Sequence, residues 1–180
     1  MSNPASTLGI VEVLRRGMEG PAVETLQDQL IDLGYMTLAQ KNTRPGRFGP
    51  LTEGAVKTFQ SDNLVEDNGT VDVATNALLQ QLKNGVQLDS QGGVVLPMQK
   101  RLVKTGDLKP EELTAESAVF GAVTEEALRD FQADHNIEAT GALTAETYRA
   151  LYKVGLAEST SAPGAIDVNL PEEGEGFKTF

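Results

Sequence analysis

The chain has 180 residues, a formal net charge of −11, no cysteine, no tryptophan and a single histidine. This excludes disulfide staples, cysteine-ligated metals, thiol chemistry and histidine-rich zinc sites, and the acidic balance argues against nucleic acid, whose partners carry a clustered basic face. A hydrophobic content of 39% is ordinary, but aromatics at 5% mean small aliphatic cores, and no apolar run approaches the ~18 residues that would suggest a membrane span.

In chain order, residues 1–12 show no periodicity and are expected to be a loose lead-in; Met1–Ser6 shows neither the basic nor the apolar region of a secretory signal. Val13 and Leu14 form an apolar anchor before the turn at Gly17 and Gly20. Pro21 suits the first helical position, where its missing N–H is not needed. Val23, Leu26, Leu30 and Leu33 then share one face, and Gly34 follows where a left-handed residue ends a helix, so the spacing predicts a helix over Pro21–Leu33. Tyr35–Arg47 is expected to be a loop. Pro50 opens a second helix running to about Asp62, with Leu51, Ala55, Val56 and Phe59 as its apolar face and Leu64-Val65 closing that side.

Asn68-Gly69 is a turn signal, and Asp72 can cap a third helix that buries Leu78, Leu79 and Leu82. Residues 83–93 read as a short connector. Three further helices are predicted at about Val94–Lys104, Val123–Asp134 and Ala145–Lys153, the last capped by Thr144, with an acidic loop over Lys109–Ser117 between the first two. Residues 157–180 open with the linker-like run Ala157–Gly164 and continue as an acidic tail, too polar for a core and expected to lead into a further domain.

The second half repeats the first. Phe48 and Phe120 are 72 positions apart, as are Phe59 and Phe131. At the same offset Gly20 matches Gly92, Leu26-Gln27 matches Met98-Gln99, Gly49 matches Gly121, Gln60 matches Gln132 and Thr75 matches Thr147. Glycines, apolar anchors and amides persist while the charged positions differ, which is the signature of two copies sharing a fold. The expected architecture is therefore all-α: two tandem three-helix modules at 13–82 and 94–156, each close to the lower size limit for an independent core.

The spaced pattern Gly17, Gly20, Val23, Leu26-Gln27, Leu30, then Gly34-Tyr35, then Gly46, Phe48-Gly49, Thr52, Ala55-Val56, Phe59-Gln60, then Gly69, Val71-Asp72 and Thr75 resembles the three-helix peptidoglycan-binding domain. The resemblance spans about Val13–Leu82 and again Val86–Leu156. It implies non-catalytic binding of peptidoglycan, through its glycan strand or stem peptide, at a cell-wall, periplasmic or extracellular location. Such modules accompany bacterial and phage wall hydrolases, so a covalently attached catalytic domain is an implied partner, and a related fold occurs in metalloproteinase pro-segments. Three positions depart from the family pattern: Pro45 stands before Gly46 in place of an acid, Ala118 replaces that glycine in the second copy, and Asp89 replaces the glycine matching Gly17.

Seven residues are candidates for ligand contact: Tyr35, Lys41, Arg44, Arg47, Thr52, Gln60 and Gln132. Lys41, Arg44 and Arg47 are three cations in a run without an acid, suited to stem-peptide carboxylates by charge-assisted bonds, or else simply solvated. Tyr35 has Asp107 as its counterpart, so the shared core does not demand it; its ring could stack on a sugar or cover the core. Gln27, Gln60, Gln99 and Gln132 each follow a core residue. Amides there could line a saccharide groove, but satisfying loop backbone is favoured, because most side-chain hydrogen bonds go to backbone or water; Thr52 and Thr124 are read the same way. Leu26, Phe48, Gly49, Phe59, Phe120, Gly121 and Phe131 are read as structural. No metal, cofactor or catalytic residue is implied. Glu111-Glu112 and Glu125-Glu126 are adjacent acids that point apart on a helix instead of flanking one bond, and His135 is a lone base at a helix end. The rival functions are a spacer or protein-contact module that has lost sugar binding, and the N-terminal part of a wall-lytic enzyme.

Overall fold

A computed structural model describes residues 13–113 and 118–156, the last four by backbone alone. The lead-in at 1–12, the tail at 157–180 and residues 114–117 of the acidic loop lie outside the described residues. The fold is all-α as expected, with seven α-helices and no strand among the described residues: α1 (Pro21–Asp32), α2 (Leu38–Thr43), α3 (Pro50–Asp62), α4 (Val73–Asn84), α5 (Val95–Thr105), α6 (Ala122–Asp134) and α7 (Ala145–Leu156). None of these is long and apolar enough to cross a membrane.

The internal repeat is visible in the backbone. Leu14 bridges Val71 and Glu19 bridges Arg47 in module one, and at the same 72-residue offset Val86 bridges Leu143 and Gln91 bridges Val119 in module two. Each module thus closes its helices with two single antiparallel bridges. Phe48, Phe59 and Leu30 are fully buried in one module, Phe120, Phe131 and Leu102 in the other. Asp89 takes the turn of Gly17 at little cost: it adopts a left-handed φ of 66° and donates its N–H to Phe120 O at 2.9 Å, as Gly17 does to Phe48 O. Aspartate tolerates that conformation better than most residues.

Three expectations need correction. The stretch Tyr35–Arg47 is not all loop: α2 forms within it because Thr37 and Gln40 make a reciprocal capping box. Within the connector at 83–93, α4 runs on to Asn84, and both Val86 and Gln91 pair with module two. Leu51 is 47% exposed, at the solvent edge of its helix and off its apolar face. Leu64 does not close the apolar side of α3 either; it sits exposed in a left-handed conformation with φ 58°, where its counterpart is Asn136, while Val65 packs on the core.

The modules are docked, with a single cluster of buried residues running through both. At the junction Asn63 Nδ2 donates to Tyr148 Oη at 2.7 Å. Tyr35 donates its one hydroxyl proton to Asp62 at 3.0 Å, so at its 2.9 Å contact with Tyr148 it must accept. Arg101 completes the chain by pairing with Asp62 and lies over the Tyr152 ring, 4.6 Å from its centroid. Burial pushes the Asp62 carboxyl above the usual carboxylate range against the pull of Arg101, and it pushes the hydroxyls of Tyr35, Tyr148 and Tyr152 well up. All three phenols therefore stay protonated at neutral pH, and those of Tyr35 and Tyr148 keep the direction of the chain.

Candidate functional site

The buried glutamines come first, because they shape what lies above them. Gln27 reaches from α1 under the segment that follows α2. Its Nε2 donates to Arg47 O at 3.1 Å and Thr52 Oγ1 at 3.1 Å, with Arg44 O at 3.4 Å, while its Oε1 accepts from Gly46 N at 2.8 Å. One side chain thereby holds a four-residue turn. Gly46 meets it with a φ of 68°, a left-handed geometry that favours glycine. Ala118 in the second copy does not take a positive φ; there Gln99 still donates to Val119 O and Thr124 Oγ1, but its buried Oε1 is left without a partner among the described residues.

This settles where several candidates lie. Gln60 and Gln132 are fully buried. Gln60 donates to Thr70 O at 2.8 Å and Thr75 Oγ1 at 2.9 Å and accepts from Gly69 N at 2.8 Å; Gln132 repeats this with Ala142 O, Thr147 Oγ1 and Gly141 N. Thr52 is 1% exposed. These three are turned inward, and their polar atoms serve the protein's own turns. Tyr35 faces the module junction, its ring edge-on to Phe59 at 5.5 Å and its hydroxyl spent on Asp62, so it offers no outward stacking face. The sequence could not show this, because Tyr148 is 113 residues away.

The cations divide. Lys41 turns back to α1, pairing with Asp28 at 2.5 Å and Glu24 at 3.4 Å; the hydrogen bond to Asp28 raises its pKa. Arg47 makes an exposed pair with Glu19 at 3.2 Å, a contact of the kind that contributes little and exchanges readily. Arg44 has no ion pair among the described residues. Arg44 and Arg47 stand together on a ridge between two depressions. On one side is a cleft of about 130 Å³ with Met36, Gln40, Thr43 and Leu51 in its walls. On the other is a shallow groove of about 740 Å³ bounded by Glu19 and Glu24. The apolar wall of Met36 and Leu51 was not legible in the sequence, since Leu51 carries the spacing of a core residue and Met36 lies in a stretch expected to be loop.

Module two lacks this arrangement. Lys41, Arg44 and Arg47 correspond to Leu113, Glu116 and Val119. The adjacent acids are also occupied: Glu112 accepts from Lys109 N at 2.8 Å and Glu125 pairs with Arg129 at 2.7 Å. His135 stacks on Phe131 at 4.1 Å with Nδ1 against Phe131 O, a helix-end contact. No group of three or more potential metal ligands occurs among the described residues.

Compared with known families, the chain matches the model of a peptidoglycan binding domain twice, over residues 19–79 and 91–151, which together cover well over half of its length. No curated protein matches it.

Proposed function

The chain belongs to the peptidoglycan binding domain family, in two tandem copies, and from that membership we propose a non-catalytic wall-binding protein whose ligand-holding copy is module one. The observation that carries this reading is the Arg44–Arg47 ridge. Two guanidiniums, one of them unpaired among the described residues, project from a turn that Gln27 pins from below, in a protein whose net charge is −11. Guanidinium forks suit planar carboxylates, and the stem peptides of peptidoglycan supply them together with small apolar side chains that fit against Met36 and Leu51. Module two, whose matching positions are Leu113, Glu116 and Val119, serves the assembly as a docked support. A specific observation favours that division: its α5 and α7 surface is already engaged with module one through Arg101 and Tyr148. The protein would hold an attached hydrolase or wall-associated domain against its polymer, at the wall, in the periplasm or outside the cell.

The test is sedimentation of the whole chain with washed peptidoglycan sacculi at two ionic strengths. Retention is expected to fall with added salt and to drop about fivefold for Arg44→Ala or Arg47→Ala, the effect of roughly 1 kcal/mol per exposed charge-assisted contact. Sedimentation no greater than a control protein, or retention indifferent to both substitutions, would remove the reading.

A further inference from the structure

The structure contains amides of two kinds. Gln27, Gln60 and Gln132 are buried and fully engaged. Gln29, Asn76 and Gln80 of module one make no side-chain hydrogen bond with any described residue, and all three face one groove between α1 and α4. The groove has a part of about 280 Å³ beside the Leu14–Val71 bridge and a part of about 390 Å³ that ends against Thr144 and Ala145 at the start of α7. Gln29, Leu79 and Lys83 line both parts, so they form one depression. Along α1 it extends from Ala22 to Leu33, roughly 16 Å at 1.5 Å per residue. Its floor is aliphatic, and its only charged lining residues are Lys83 and Asp32, which are opposite in sign.

In the second copy the matching face is covered. Gln29, Asn76 and Gln80 correspond to Arg101, Tyr148 and Tyr152, the face of module two that receives module one. The two copies differ at these three positions: one carries a protein-docking surface, the other an open rim of free amides.

We propose that this groove is a second wall-contact site that takes the N-acetylated glycan strand. The proposal rests on the wall-binding reading above and concerns a different part of the polymer. Free amides offer a donor and an acceptor each, which matches hydroxyl and acetamido groups; the aliphatic floor covers sugar C–H faces and acetamido methyls; and a near-neutral groove in an acidic chain favours an uncharged ligand over an anionic stem peptide. Thr144 and Ala145 close one end, so the site is complete only with the modules docked. Binding by one groove without an aromatic platform is weak, and the Arg44–Arg47 ridge on the same polymer raises retention through effective concentration.

The experiment titrates the isotopically labelled whole chain with a soluble tetramer of N-acetylglucosamine, following side-chain amide resonances, alongside sedimentation with intact sacculi. The expected result is saturable shifts of the Gln29, Asn76 and Gln80 amides with a Kd of about 1 mM, weakened at least fivefold by a Gln29→Ala, Gln80→Ala double variant whose urea midpoint is unchanged. A chain that sediments with sacculi but shows no shifts at these amides overturns the groove proposal and leaves the wall-binding reading standing. Tetramer binding indifferent to the double variant also overturns it. Tetramer binding without retention on sacculi removes the wall-binding reading and with it the groove as a wall-contact site, and a chain that does neither removes both.

Discussion

At Gln60 a single amide holds the N–H of Gly69 and the carbonyl of Thr70 in the turn before α4, and the hydroxyl of Thr75 in the first turn of that helix. A buried polar group stripped of its partner loses more than the mean value of a hydrogen bond, because it keeps the desolvation cost. Gln60→Ala is therefore expected to lower stability by about 2–3 kcal/mol, read as a lower urea midpoint at unchanged slope. A loss under about 0.5 kcal/mol would mean that water replaces the amide at no cost. That these glutamines belong to the turns was legible in part, because they recur at one offset beside core residues. That Tyr35 also turns inward was not, since its partners come from elements with no local relation to it.

The helices illustrate how much a terminus carries. Asp72 caps α4, accepting from Thr75 N at 2.8 Å, and that backbone N–H holds its carboxyl below the usual carboxylate range. A group with a lowered folded pKa contributes stability that is present above its unfolded value and is lost as pH falls through the folded one. Asp72→Ala should thus cost about 1 kcal/mol at pH 7, a gap that narrows as pH drops below about 4. Asp72→Asn, which keeps the acceptor without the titration, should gain on the native chain over the same interval. Chemical denaturation at several pH values measures both, and a gap constant from pH 7 to pH 3 would exclude the cap as its source. At this scale the sequence was informative: Pro21, Pro50 and Asp72 mark three helix starts that the structure places at the same residues. The short α2 escaped because its capping box lies within a polar run with no apolar periodicity.

Across the molecule the junction makes one body of two repeats. Asp62 and Arg101 pair with side chains only 10% and 17% exposed, and removing one member of such a pair leaves a charge in a site built for two. Arg101→Ala is expected to destabilise by about 2–3 kcal/mol, below the upper range for fully buried pairs because Tyr35 still donates to Asp62. Because the core is continuous, amides of α3 in module one should lose exchange protection along with those of α5 in module two. Loss confined to module two would show that the modules unfold separately.

The sequence alone determined the class of fold, the number of modules and most helix starts, because apolar periodicity, caps and a fixed repeat offset are local or self-referential signals. It also marked the Arg44–Arg47 turn by its charge. Only the tertiary structure decided which polar residues face out. Gln60 and Gln29 are the same residue type on amphipathic helices, yet one is enclosed by a turn and the other is left at the rim of a groove. That difference depends on packing between distant elements, and neither composition nor spacing records it.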